Sequence, residues 1–138
     1  MLIEKAYAKV FSGYQNIESG NVPDTIQDLT GAPYSTYDLT EDNNIFETLK
    51  DSISKGFITT SCCSKEKTLQ GRFESIGLIP QYSYTILSYK EFEYQGKNEQ
   101  VLELRNPWGW FGNEWKGRWS KDWYGWTKEL KQISENER

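Results

Sequence analysis

The spacing of apolar residues changes once along this chain, near Gly56, and that change limits the fold more than any other feature. Ahead of it, residues 2–14 carry Ile3, Ala6, Tyr7, Val10, Phe11 and Tyr14 at helical intervals, with Gly13 near the end of the pattern. Residues 20–23 read as a turn and residues 24–29 as a short helix. The stretch DLTEDNNIFETLKDSISKG predicts an amphipathic helix over 44–55. Asp42, Asn43 or Asn44 can cap it, Ile45, Phe46, Leu49 and Ile53 form its buried stripe, and Gly56 supplies a left-handed stop. Glu41 and Asp42 read as a charge pair at the start of that helix.

After Gly56 the period is 2. FITTSCC (57–63), QYSYTILSYKEF (81–92) and QVLELRN (100–106) read as strands, the last two joined by a hairpin turn over 95–98. The segment 64–76 is polar and carries no clear period. The spacing of Trp123, Trp126, Leu130 and Ile133 predicts a last short helix. Helices first and strands later, within a single domain over 1–138, predict an α+β fold with a twisted antiparallel sheet flanked by helices.

Composition removes several function classes. A net charge of −4 with scattered basic residues gives no footprint for nucleic acid. No 18-residue apolar run is present, so no membrane span is expected, and MLIEKAYAKVF lacks the apolar stretch of a secretory leader. Cys62 and Cys63 are adjacent and cannot staple distant parts of the chain. Reduced thiols point to the cytosol or another reducing compartment, and the cytoplasm is the expected location. All six tryptophans lie between Trp108 and Trp126, so the second half leans on large aromatic rings. Trp108, Trp115 and Trp119 are expected in the core.

Four stretches, in order, resemble the calpain family of cysteine proteases: EKAYAK, DLTGAP, SKGFITTSCCS, and LRNPWG followed by EWKGRWS. The likeness is to the second subdomain of that family's papain-like protease core and covers nearly the whole chain. It implies an α+β fold with a partly barrel-like sheet. It also implies a mechanism in which a cysteine on the preceding subdomain attacks and a histidine serves as base. The asparagine of the Asn-Pro-Trp-Gly motif orients that histidine and the tryptophan shields the bond from water. Residue by residue, Asn106 is the orienter and Trp108 the shield.

The departures from the pattern bear on function. GLIPQYSYTIL stands where the family has its histidine motif, with Tyr82 at the histidine, Gln81 at the glycine before it and Tyr84 on the family tyrosine. The chain contains no histidine at all. A phenol with an ordinary pKa near ~10 is a poor base at neutral pH. Cys62 and Cys63 fall on a buried family strand and not on the nucleophile motif, so the nucleophile subdomain is expected to be absent from this chain. Asn106 then either bonds the Tyr82 hydroxyl or holds the turn shaped by Pro107 and Gly109.

The resemblance further implies a calcium loop after Asn-Pro-Trp-Gly. Glu114 matches one ligand, while Lys121 takes the place of an aspartate and Asp122 comes next; residues 110–113 lengthen the loop. An ammonium group beside a hard-cation site opposes it, so no cofactor is expected, with calcium at Glu114 and Asp122 as the alternative. The resulting expectation is a catalytically degenerate calpain-like subdomain, inactive alone, acting as a scaffold or protein-interaction module in a larger polypeptide. The alternative is half of a calcium-dependent cysteine endopeptidase whose nucleophile comes from a preceding subdomain.

Overall fold

The computed structural model describes residues 2–41, 44–63, 67–107, 109 and 114–135. They fall into two compact units, Met1–Asp42 and Asn43–Arg138. Among the described residues no helix is long and apolar enough to cross a membrane.

The first unit holds helix α1 (Leu2–Val10), a 3-10 turn (Tyr14–Asn16) and helix α2 (Val22–Thr30). Pro23 fits the start of α2, where a missing N–H costs nothing. Gly31 closes that helix at φ 73°, its N–H donating to the Gln27 carbonyl at 2.7 Å. The Tyr7 hydroxyl donates to Asp28 at 2.9 Å and joins α1 to α2. Helical spacing holds in α1, but the stripe is not covered: only Ala8 is buried, and Ile3 and Val10 stay exposed. Two short helices offer no second layer against which that face can pack.

The second unit begins with helix α3 (Ile45–Ser54). Of the three candidate caps, Asn44 occupies the N-cap position without a side-chain capping bond; Asp42 and Asn43 lie outside the described residues. Gly56 ends the helix as predicted, at φ 72°, with the Phe57 N–H reaching back to the Ser52 carbonyl at 3.0 Å. Strand β1 (Thr59–Cys62) follows, and helix α4 (Lys67–Ser75) forms where no period was read. Strands β2 (Ser83–Tyr94) and β3 (Lys97–Arg105) make the hairpin, and helix α5 (Lys128–Glu135) closes the unit.

The sheet is antiparallel in the order β1-β2-β3 and open, not closed into a barrel. The hairpin loop is shorter than the expected 95–98. Gln95 and Gly96 both take positive φ, and Tyr94 pairs directly with Lys97. That is the two-residue geometry whose twist matches the flanking strands. The register slips between Ile86 and Ser88. This extra residue keeps Ile86 and Tyr89 on one face although three positions separate them. Helix α3 covers that face: Phe46 meets Tyr89 edge-on at 6.0 Å, and Lys50 pairs with Glu91 at 3.4 Å. Phe92 and Tyr94 point the other way and carry the tryptophans.

Trp119 is the hub of the aromatic cluster, with ring centroids 5.0 Å from Phe92, 5.1 Å from Tyr94, 4.5 Å from Trp123 and 5.6 Å from Trp126. Arg118 lies over the rings of Tyr94 and Trp119 and is held there by Glu99 at 2.6 Å. Trp115, expected in the core, is instead 43% exposed. Its indole N–H donates to the Arg118 carbonyl at 2.7 Å, which satisfies the ring's polar end at the surface. The last helix starts at Lys128 and not near Trp123. The Trp126 indole donates to the Ser120 carbonyl at 2.6 Å and draws residues 120–126 into a closed turn first.

Candidate functional site

The strand order brings the motif residues to one end of the sheet. The β2–β3 register pairs Thr85 with Arg105. Asn106 follows that pair on one chain and Tyr84 precedes it on the other, and both line one cavity. Tyr82 lies two residues before Tyr84, and the two rings meet edge-on with centroids 5.5 Å apart, so both project to the same side. The Tyr82 carbonyl accepts the Cys63 N–H at 3.0 Å, which ties this corner to the end of β1. Asn106 is half-buried with its amide nitrogen out of solvent, and its carbonyl accepts the Gly109 N–H at 3.1 Å.

A cavity of ≈ 980 Å³ opens beside this corner, lined in part by Tyr84, Asn106, Glu114, Trp115, Trp119 and Lys121. The structure therefore brings Asn106 and Glu114 to one cavity, and Tyr82 is not in its lining. Asp122 is exposed and is not part of that lining. Trp108 and the lengthened stretch 110–113 lie outside the described residues.

Burial first, and then the neighbouring Tyr84, push the Tyr82 phenol above its ordinary value. Burial, and then Cys62, likewise push the Cys63 thiol up. Both groups are consequently protonated at neutral pH. A neutral phenol can donate a hydrogen bond but cannot take a proton from a thiol. Cys62 and Cys63 are free thiols, the first exposed.

The donors for a hard cation are sparse. Calcium takes about 6–8 oxygen ligands. Among the described residues no three acidic, cysteine or histidine side chains converge. Glu114 and Asp122 are exposed, Lys121 precedes Asp122 in the chain and lines the same cavity as Glu114, and these residues do not fit calcium by themselves.

Two features of the site go beyond the expectations drawn from the sequence. Gly77 lies at φ 84°, and a Cβ there would land on the Glu114 carbonyl. The Lys116 N–H donates to the Ile76 carbonyl at 2.9 Å beside it. The turn that follows α4 is thus fastened to the stretch carrying Glu114. The second feature is Tyr84, 5% exposed, whose hydroxyl accepts the Ile79 N–H at 2.9 Å. The glycine of GLIPQY was a legible signal for the first; for the second, the signal was the match of Tyr84 to the family tyrosine, which does not name its bond.

A model of calpain family cysteine proteases matches residues 1–138. The chain is similar to Calpain-13 of Rattus norvegicus, 31% identical over 127 residues, which is 89% of this chain and 19% of that protein. It is similar to the Calpain-1 catalytic subunit of Gallus gallus, 31% identical over 123 residues, 86% of this chain and 17% of the relative. To Calpain-14 of Homo sapiens it is 34% identical over 121 residues, again 86% and 17%. It therefore spans less than a fifth of the length of these relatives. With the family model covering every position, and with Asn106 of LRNPWG half-buried just past the end of β3, the chain belongs to the calpain family of cysteine proteases.

Proposed function

We propose that residues 1–138 are the second subdomain of a calpain-type protease core, catalytically inert by themselves and serving as a scaffold or protein-interaction module in a larger cytoplasmic polypeptide. The observation that carries this reading is Tyr82, a phenol raised above its ordinary pKa at the position of the family base, in a chain without histidine. Thiolate attack needs a group that shares a proton with sulfur near neutral pH, and imidazole is the side chain that does so unperturbed. The partner is the remainder of that polypeptide or another protein, which agrees with relatives about five times as long. The free thiols Cys62 and Cys63 suit a reducing compartment.

The test restores the base. Tyr82→His with Gln81→Gly, combined with an intact nucleophile subdomain from a calpain relative, should react with a thiol-directed peptidyl inhibitor, while the parent pairing should not. Gln81 sits at φ 56°, the left-handed region that glycine occupies without strain, so the second substitution fits the corner. Labelling of the unmutated pairing at a similar rate would overturn the inert reading and favour the endopeptidase half. Calcium is not required on this reading: melting temperatures in EDTA and in millimolar calcium should agree. A large rise with calcium would show binding to the native state and return Glu114 and Asp122 to a metal loop.

A further inference from the structure

We propose that Tyr84 is a positioning residue for the side chain at position 82. This rests on the reading of Tyr82 as the occupant of the base position, and it goes further by naming what places that occupant. Tyr84 holds the 79–82 corner at two points. Its buried hydroxyl accepts the Ile79 N–H at 2.9 Å, three residues upstream of Tyr82. Its ring meets the Tyr82 ring edge-on, 5.5 Å between centroids and 82° between planes.

Between those two points the backbone is not in a resting geometry. Gln81 takes φ 56°, a conformation that a side chain adopts only when its surroundings hold it there. The surroundings on the chain are the Ile79 bond on one side and the Cys63 N–H on the Tyr82 carbonyl on the other, at 3.0 Å. Tyr84 itself is anchored. It is buried in β2, paired with Ser61 of β1, and followed by buried Ile86 on the same face. A fixed strand residue thereby transmits its position to a strained corner, and the corner sets where side chain 82 lies.

The absence of histidine makes the test clean, because Tyr82→His gives the 138-residue chain one imidazole and one set of imidazole signals. Two readouts are compared with and without Tyr84→Phe, which keeps the ring and removes the hydroxyl. Amide exchange at Ile79 should accelerate by up to about tenfold, the size of one lost hydrogen bond. The imidazole signals should shift, and its titration should move from a burial-lowered value toward the ordinary ~6.5. Faster exchange at Ile79 with an unchanged imidazole titration would overturn the proposal, since Tyr84 would then fasten only its own neighbourhood. Unchanged exchange at Ile79 would overturn it as well. If Tyr84→Phe does not fold, the parent chain decides. Magnetisation transfer from the Ile79 amide and the Tyr82 ring to the Tyr84 ring is expected, and its absence ends the proposal. A failed labelling test leaves this result standing, and a fixed imidazole titration leaves the labelling test standing, so the two readings fall separately.

Discussion

The unit of α1 and α2 and the unit built on the sheet use apolar residues in opposite ways. Among the described residues of the first, Ala8 alone is buried, and Leu2, Ile3 and Val10 are each more than two-thirds exposed. Its two helices are linked by polar contacts, chiefly the Tyr7 bond to Asp28, and Tyr34 holds Asp24 at 2.6 Å. In the second, Tyr84, Ile86 and Leu130 are buried, and Trp119 gathers four rings around itself. The lesson is that helical periodicity states which face a helix would bury, whereas burial needs an opposing layer. The sheet supplies one on both faces; a helical pair does not.

Substitutions should sharpen this contrast, beginning where packing is densest. Trp119→Ala removes the hub of the cluster and should destabilise the sheet unit by about 3–5 kcal/mol. Urea unfolding followed by tryptophan fluorescence reads that unit alone, because all six tryptophans lie between 108 and 126. A loss below about 1 kcal/mol would mean the cluster is surface decoration.

Gly77→Ala should come next, at about 2–3 kcal/mol, since the new methyl meets the Glu114 carbonyl and the backbone is left-handed. The same assay measures it, and a neutral result would show that the 114–116 stretch yields. In the other unit, Val10→Ser should change stability by no more than about 0.5 kcal/mol, because Val10 is 78% exposed. Far-UV circular dichroism checks this, and a larger loss would show that the face is covered in solution.

The smallest effects are expected from pH, with opposite signs in the two units. The Tyr34 phenol is raised, first by its hydrogen bond to Asp24 and then by that group's charge. A raised group contributes its stability below the unfolded value and loses it as pH climbs through the folded one, so the Tyr34 contact should release above about pH 10. The Glu91 carboxyl is lowered, by hydrogen bonds from Asn98, Gln100 and Lys50 in that order. A lowered group contributes above the unfolded value and loses it as pH falls through the folded one, so the α3–β2 link should weaken below about pH 4. NMR titration of Tyr34 and Lys50 resonances separates the two. Release of both contacts at the same end of the scale would contradict the contrast.

Some elements were legible because their physics is local. Helix α3 declared itself by its stripe and by Gly56, and the hairpin by alternation around a glycine. Helix α4 was missed although Gly77 closes it, with the Leu78 N–H on the Phe73 carbonyl at 2.9 Å in the same way that Phe57 closes α3. KTLQGRFES has too few apolar residues for a stripe, so its helix is marked by the glycine stop rather than by period.

By itself the sequence determined the α+β class, the order of the main elements, the family motifs and the missing imidazole. Each depends on residue type and spacing along the chain. Tertiary structure alone decided that Trp115 would sit at the surface, tied by its own indole to Arg118, while Trp119, expected in the core, is half-buried as the hub of the rings. It also decided that Tyr84, and not a loop residue, would grip the corner before Tyr82. Those outcomes depend on which groups meet across the register of β2 and β3. A one-residue slip at Leu87 is enough to change that register, and no local propensity encodes it.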